Sequence, residues 1–327
     1  MVNCNVCQKE FVGDRQLHAH IKAHDMRVAE YYQSQFPRYD KYNKEIIKFK
    51  NKNQYFSNDF NTRTNLKNWL KSVTTTEAKE YCKSVLLQRK KKKNLIYAPT
   101  QVEMRTVLAP PVHYLNELFG DYYKLCEELG FEARFSNCDN ISYGSIYKDP
   151  NYKIYIDTRE KMPLKFGDVP TEVRTLKFGD YAFSDERASC KCYIERKSVG
   201  DFIGTLSGGY DRFRREIERA RDADAYLVVL VEETLTNCMS FNFLPHVFKK
   251  GTRVTPEYVF HNVRQLIQDY PFIQFLFVKG RVEAADAVAK IFTSGCVFKK
   301  IDLQLAYDTK VLKCGTVPKN TKKISRT

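Results

Sequence analysis

No stretch of this chain approaches the roughly 18 to 20 consecutive apolar residues that a membrane span requires, so no membrane partner is expected. The opening MVNCNVCQKEF also lacks the apolar core of a secretion signal. Acidic residues are in short supply: 39 Asp and Glu stand against 54 Lys and Arg, a formal charge of +15 over 327 residues. That balance disfavours basic partners and favours polyanions, chiefly nucleic acid or an anionic membrane surface. Ten cysteines suggest a disulfide scaffold only in a short exported chain. With 43% apolar residues this one can build a core without them, and an intracellular, reducing compartment is expected.

The excess charge lies in runs: RKKKK at 89–93, FKNKNQYF at 49–56, and the tail PKNTKKISRT. Aromatic rings interleaved with lysines suit nucleic acid, since rings stack on bases while cations meet phosphates.

Residues 1–25 carry the spacing C-x2-C-x12-H-x3-H, with Cys4, Cys7, His20 and His24 as ligand candidates. On a helix, His20 and His24 share one face. Two thiolates and two imidazoles match a closed, structural tetrahedral Zn2+ site. Phe11 and Leu17 provide the small core of a ββα unit. The pattern resembles a Cys2His2 zinc finger, whose base-reading positions fall here on Gly13, Gln16 and Ala19. Of these, Gln16 is able to contact a base, and one finger spans about three base pairs. The finger is thus expected to aid docking, on DNA or on protein.

Residues 26–95 form a basic, aromatic-rich region, with helices expected over Thr64–Lys71 and Thr75–Gln88 and a small core around Trp69, Leu66 and Leu70. Within 96–135, VEMRTVLAPPVHYLNELFGDYYKLCEELGF reads as two helices broken at APP and closed by Gly130. Its end, FGDYYKLCEELGF, resembles the short helical repeats attached to homing endonucleases, which implies a small DNA-binding segment. A linker is expected over 136–150, an α/β domain over 151–310 and a basic tail over 311–327.

The domain expectation rests on alternation. YKIYID, TEVRTLKFGDYAF, CYIERK, AYLVVLV and FIQFLFV read as strands, with helices at GYDRFRREIERARDA, after Thr255-Pro256, and over Arg281–Phe292. This order argues for a mixed sheet flanked by helices. In the strand CYIERK, alternation places Glu195 and Lys197 on one face and Arg196 on the other. Asp157, Glu160 and Asp180 lie at or near strand ends where they can converge with Glu195. Clustered carboxylates repel unless a cation sits between them. Hard oxygen ligands beside an ammonium suit Mg2+ or Mn2+ and phosphodiester hydrolysis.

The run GDYAFSDERASCKCYIERKSVGD is similar to the GD…ERKxxxD signature of the XPF-family nucleases, and IDTREK to that family's D-x-R-E segment. The family has a restriction-endonuclease-like fold and cuts DNA with Mg2+ or Mn2+. The resemblance implies Asp180, Glu195 and the Arg196 carbonyl as metal ligands and Lys197 as the catalytic lysine. It implies Asp157 and Glu160 as completing the acidic cluster, with Asp157 a further metal ligand, and Asp201 as support. Arg159 and Arg196 are expected to brace carboxylates or phosphate, and with Tyr210, Arg212 and Arg215 they are candidates for DNA contact, although an amphipathic helix with Phe213 and Ile217 inward accounts equally well for Arg215. A homodimer through the nuclease domain is allowed. Cellular family members carry a tandem helix-hairpin-helix module after the nuclease; here a short strand-like piece and the basic tail follow Phe298. The expected activity is a DNA endonuclease targeted by its N-terminal modules, in the homing manner. The alternatives are a flap or junction nuclease of repair or recombination, and a non-catalytic DNA-binding protein.

Overall fold

The structure is a computed structural model and describes residues 1–40, 42, 44–56, 62–138, 141, 149, 151–244 and 254–312. Most of the expected linker and nearly all of the basic tail lie outside these residues. The chain divides into two units, one of 1–82 with 107–110 and one of 83–106 with 111–327. No helix among the described residues is long and apolar enough to cross a membrane.

The first unit opens with β1 (Val2–Asn3) paired antiparallel to β2 (Glu10–Phe11), followed by α1 (Asp14–His20) and a tight 3-10 turn over Ile21–His24. This is the expected ββα layout. Its helix buries Leu17 and Ile21 in a cluster with Tyr31 and Tyr32 of α2 (Val28–Gln35), Phe49, and Tyr55 of α3 (Lys52–Tyr55). Two short strands and one helix cannot bury enough surface alone, and here the next thirty residues extend their core. Asn5 N donates to the Tyr31 hydroxyl at 2.9 Å. The expected helices follow as α4 (Arg63–Ser72), N-capped by the Thr62 hydroxyl, and α5 (Thr75–Lys93), which is divided between the units at Cys82. Leu66 is buried and Trp69 packs against Tyr42 and Tyr81, a local core as its apolar neighbours suggest.

In the second unit come α6 (Gln101–Arg105), α7 (Val112–Phe119) and α8 (Tyr122–Glu128). Gly120, at φ +83°, ends α7, and the Asp121 carboxylate caps α8. These helices share their unit with the sheet that follows. Gln101 N donates to Asp302 Oδ2 at 2.6 Å, Gln268 donates to Glu103 at 2.9 Å, and Arg134 donates to the Ile267 carbonyl at 2.7 Å. Lys90, in the RKKKK run, donates to the Leu129 carbonyl at 3.1 Å and also to the Gly130 carbonyl. An ammonium there satisfies the last carbonyls of α8.

The sheet contains β3 (Ile154–Asp157), β4 (Thr171–Arg174), β5 (Tyr181–Phe183), β6 (Cys192–Lys197), β7 (Tyr226–Val231) and β8 (Ile273–Phe277), ordered β4-β3-β5-β6-β7-β8. β5 runs antiparallel to both neighbours, and the remaining pairs are parallel. α9 (Glu186–Ser189), α10 (Val199–Thr205), α11 (Tyr210–Asp222), α12 (Leu235–Cys238), α13 (Pro256–Asp269), α14 (Gly280–Thr293) and α15 (Leu303–Asp308) complete the unit.

Alternation along the strands feeds two cores. Ile194, Val228, Leu230 and Leu276 face α14, while Leu227, Val229, Val231 and Phe275 face the packed side chains of α10, α11 and α13. All six residues of β7 are buried, as a strand with helices on both faces requires. The expected mixed-sheet α/β architecture of the restriction-endonuclease-like class is therefore present.

Two features differ from the sequence reading. The piece after Phe298 is helical, because Asp302 caps α15 through Leu305 N at 3.0 Å and side-chain capping outweighs a short apolar run. In addition, Cys190 and Cys296 form a disulfide with Cα atoms 5.6 Å apart, a pairing not anticipated from the sequence.

Candidate active site

The site forms where β3, β5 and β6 end together. Ile156 pairs with Tyr181, and Tyr181 with Ile194, so the next residues in register are Asp157, Asp180 and Glu195, one row across the sheet. Gly179 makes this possible. Its φ is +58°, and a Cβ there would lie 2.7 Å from the Ile194 carbonyl oxygen. Asp180 N donates to that same oxygen at 2.8 Å. A glycine before the aspartate is thus a packing requirement of the GD motif.

The row does not give three equivalent carboxylates. Asp157 is almost wholly buried, with Oδ1 accepting from Arg159 N at 2.9 Å and Nε at 2.6 Å, and Oδ2 accepting from Leu176 N at 2.7 Å. Burial raises its pKa, but these donors outweigh it and hold the carboxyl below the usual range. Glu160 makes a two-pronged bond to Arg196, Oε2 to Nε at 3.0 Å and Oε1 to Nη2 at 2.9 Å. Asp201 accepts from the Ser198 hydroxyl at 2.7 Å while Asp201 N donates back at 3.2 Å, which starts α10. Asp157, Glu160 and Asp201 were expected in the acidic cluster or as its support; the structure engages them with an arginine turn, a guanidinium and a helix cap.

What remains is Asp180, Glu195 and Lys197. Lys197 Nζ donates to Glu195 Oε1 at 2.7 Å, and its ammonium lies 5.4 Å from the centre of the Phe213 ring. Burial, then the charge of Glu195, pushes the Asp180 carboxyl up to about 7, against the pull of Arg196 N and Lys197. Asp180 Oδ2 accepts from Arg196 N at 2.7 Å. Because β6 residues alternate between neighbours, Ile194 and Arg196 present their backbone groups to the β5 side. The carboxylates of Asp180 and Glu195 therefore face one space. A carboxyl driven to hold its proton first by burial and then by a neighbouring carboxylate is the electrostatic condition that a divalent cation relieves. The residues present fit Mg2+ or Mn2+.

Arg196 is a brace. Its side chain is 13% exposed and also pairs with Glu232 Oε2 at 3.0 Å, while Arg281 reaches Glu232 at 3.6 Å and the Met162 and Pro163 carbonyls at 2.8 and 3.0 Å. Of the two roles expected of Arg196, bracing carboxylates or meeting phosphate, its buried pairs with Glu160 and Glu232 are the first. Arg159, 70% exposed, is held by Asp157. Arg212 and Arg215 are exposed on α11, Tyr210 is half-buried, and Phe213 and Ile217 point inward as on any amphipathic helix.

Glu216 and Glu232 were not singled out in the sequence. Burial and then the charge of Glu195 raise the Glu216 carboxyl, with Lys197 opposing, so α11 adds a further acid to this side. Its sequence signal was its position three residues after Phe213, on the face turned to the sheet.

In the first unit, the ligand atoms of Cys4, Cys7, His20 and His24 lie within 4.8 Å of one another. Cys7 Sγ is 3.1 Å from His20 Nε2, and Cys4 Sγ is 3.4 Å from His24 Nε2. Among the described residues this is the one set of three or more such side chains grouped closely enough to hold a metal ion. Gln16 is exposed, and its Oε1 accepts from Val12 N at 3.1 Å.

Residues 156–291 match the family model of the ERCC4 domain, the part of the chain where the XPF-family resemblance lies, and so are similar to ERCC4-type nuclease domains. Two solved structures are also similar: XPF from Aeropyrum pernix, and the same protein in complex with DNA. Each is 20% identical over 43% of this chain, with TM-scores of 0.33 and 0.32, and 59% and 62% of those chains are covered. The chain thus spans about three-fifths of the length of those structures. No curated protein matches it.

Proposed function

We propose that this protein is a divalent-metal-dependent DNA endonuclease. The observation that carries the reading is the trio Asp180, Glu195 and Lys197 at the ends of β5 and β6, within a segment that matches the ERCC4 domain. Asp180, Glu195 and the Arg196 carbonyl would hold Mg2+ or Mn2+. When bound there, the cation supplies Lewis-acid polarisation of a phosphoryl oxygen and an activated water. Lys197, fixed by Glu195 and the Phe213 ring, meets negative charge developing on the scissile phosphate. Asp157 aims Arg159 at the mouth of the site, where the exposed guanidinium meets a backbone phosphate, and exposed Arg212 and Arg215 extend that contact. The Arg196 ladder keeps Asp180 in place.

Cys4, Cys7, His20 and His24 hold Zn2+ as a structural ion in the same proposal. The finger and the helical segment bring the nuclease to its target, and two copies pair through the nuclease domain. Digestion of a randomised duplex library and of branched oligonucleotides with Mg2+ or Mn2+ tests the reading. Discrete cuts at one duplex sequence support homing-type targeting; cuts near branch points regardless of sequence support a flap or junction nuclease. Glu195→Gln and Lys197→Ala should abolish cutting and leave DNA binding within about twofold of wild type. Undiminished cleavage by either variant removes the catalytic assignment. Intact substrates with wild-type protein and either metal leave a DNA-binding protein.

A further inference from the structure

We propose that the surface around Phe36 and Phe56, in the unit that contains the Cys2His2 group, is a stacking site for unpaired nucleic-acid bases. The proposal goes beyond the nuclease reading and does not depend on it.

Phe36 and Phe56 leave 44% and 49% of their surfaces in solvent. Single exposed aromatics are ordinary. These two flank one buried ring, Tyr32, at centroid distances of 5.9 and 4.9 Å. Both are held in place. Tyr55 stacks on Tyr32 at 4.8 Å, and its hydroxyl donates to the Phe36 carbonyl at 2.8 Å. Phe56 touches Tyr55 at 5.2 Å and lies 6.2 Å from His18 of the finger helix, whose Nε2 is 3.1 Å from the Tyr32 hydroxyl. The local sequence accounts for this exposure. Phe36 closes α2 directly before Pro37, and Phe56 closes the single turn of α3, so each ring stands at the end of a helix.

Cations border the rings. Phe56 N donates to the Lys52 carbonyl at 3.0 Å, which places Lys52 one turn away on the same helical face. The Arg38 guanidinium sits 4.6 Å from the Tyr55 ring centre. From Lys22 to Phe56 the chain carries eight Lys or Arg and four Asp or Glu. Rigid half-exposed rings bordered by cations are what single strands use, with bases on the rings and phosphates on the cations. A duplex keeps its base faces stacked and offers them nothing. A protein partner would need a wider apolar area than two half-rings supply.

The test uses the full chain, zinc retained and without added Mg2+ or Mn2+, and reads binding rather than cleavage. Fluorescence anisotropy compares a labelled oligo-dT with a duplex of equal length. Phe36→Ala with Phe56→Ala should weaken oligo-dT binding by about tenfold or more and leave duplex binding within about twofold. Lys52→Glu should weaken it less, with the loss shrinking as salt is raised. If the double alanine variant misfolds, Phe56→Trp decides: a stacked tryptophan is quenched on adding oligo-dT. Absence of quenching, equal losses on single strand and duplex, or unchanged single-strand affinity overturns the proposal. A chain that cuts no DNA yet shows these effects leaves it standing.

Discussion

Replacing Gly179 by alanine tests how the strand ends hold Asp180. The backbone at Gly179 is left-handed at φ +58°, a conformation that costs an L-residue with a Cβ about 1–2 kcal/mol. The new methyl would stand 2.7 Å from the Ile194 oxygen and 3.0 Å from its carbon. Both belong to the backbone of β6, so no side chain can swing away, and the strand shift adds about 1–3 kcal/mol. Lost freedom in the unfolded chain returns about 0.4–1 kcal/mol. The net is a destabilisation of about 1–4.5 kcal/mol, or a fall in midpoint of roughly 2–18 °C for a domain of this size. The atom that must move is the acceptor for Asp180 N at 2.8 Å, so the carboxylate moves with it. Displacement by about 1 Å costs on the order of 100-fold in rate. Gly204 is the control. It lies in α10, has a negative φ and meets nothing within 4 Å of an added Cβ, so Gly204→Ala should be neutral or stabilise by up to about 1 kcal/mol. Thermal unfolding by circular dichroism and Mn2+-dependent cleavage of the same preparations give both readouts. Equal midpoints and equal activity for the two variants would refute the account of the GD motif.

Asp180 also sets a pH dependence. Its folded value is raised to about 7 from an ordinary 3.8, so between about pH 4 and pH 7 the folded state holds a proton that the unfolded state has lost. Its contribution to stability therefore falls as pH rises through that window. Asp180→Asn should flatten this part of the midpoint-against-pH curve. Mg2+ or Mn2+ should raise the wild-type midpoint more at pH 8 than at pH 5, and equal shifts at the two values would count against Asp180 as a ligand. For the N-terminal group, Co2+ substitution should produce thiolate charge-transfer absorption that weakens in Cys7→Ser. Chelation should loosen the Leu17–Ile21–Tyr31–Tyr32 cluster, since binding at such sites is worth on the order of 10 kcal/mol. Unchanged near-ultraviolet circular dichroism after metal removal would show that the cluster stands without it.

Periodic and short-range features were legible because backbone geometry enforces them locally. The ββα layout and the four-residue step from His20 to His24, the buried strand at 226–231, and the shared face of Glu195 and Lys197 all follow from a period of two or 3.6. Gly179 was noted as part of a motif, and its reason came only with the 2.7 Å approach to β6. The helix at Leu303–Asp308 was missed because its capping aspartate reads equally well as the edge of a strand.

The sequence by itself determined which residues could form each strand or helix, and which acids and bases lay within a few residues of a strand end. Only the tertiary structure decided how those charges were used. Asp157 went to a turn, Glu160 to Arg196 and Asp201 to a helix cap, while Glu216 and Glu232 came in from α11 and the end of β7. The physical reason is that a buried charge is stabilised by whichever donor packing brings within about 3 Å. For Glu232 and Arg196 that partner lies 36 positions away in the chain and next to it in the sheet, at a separation no local pattern encodes.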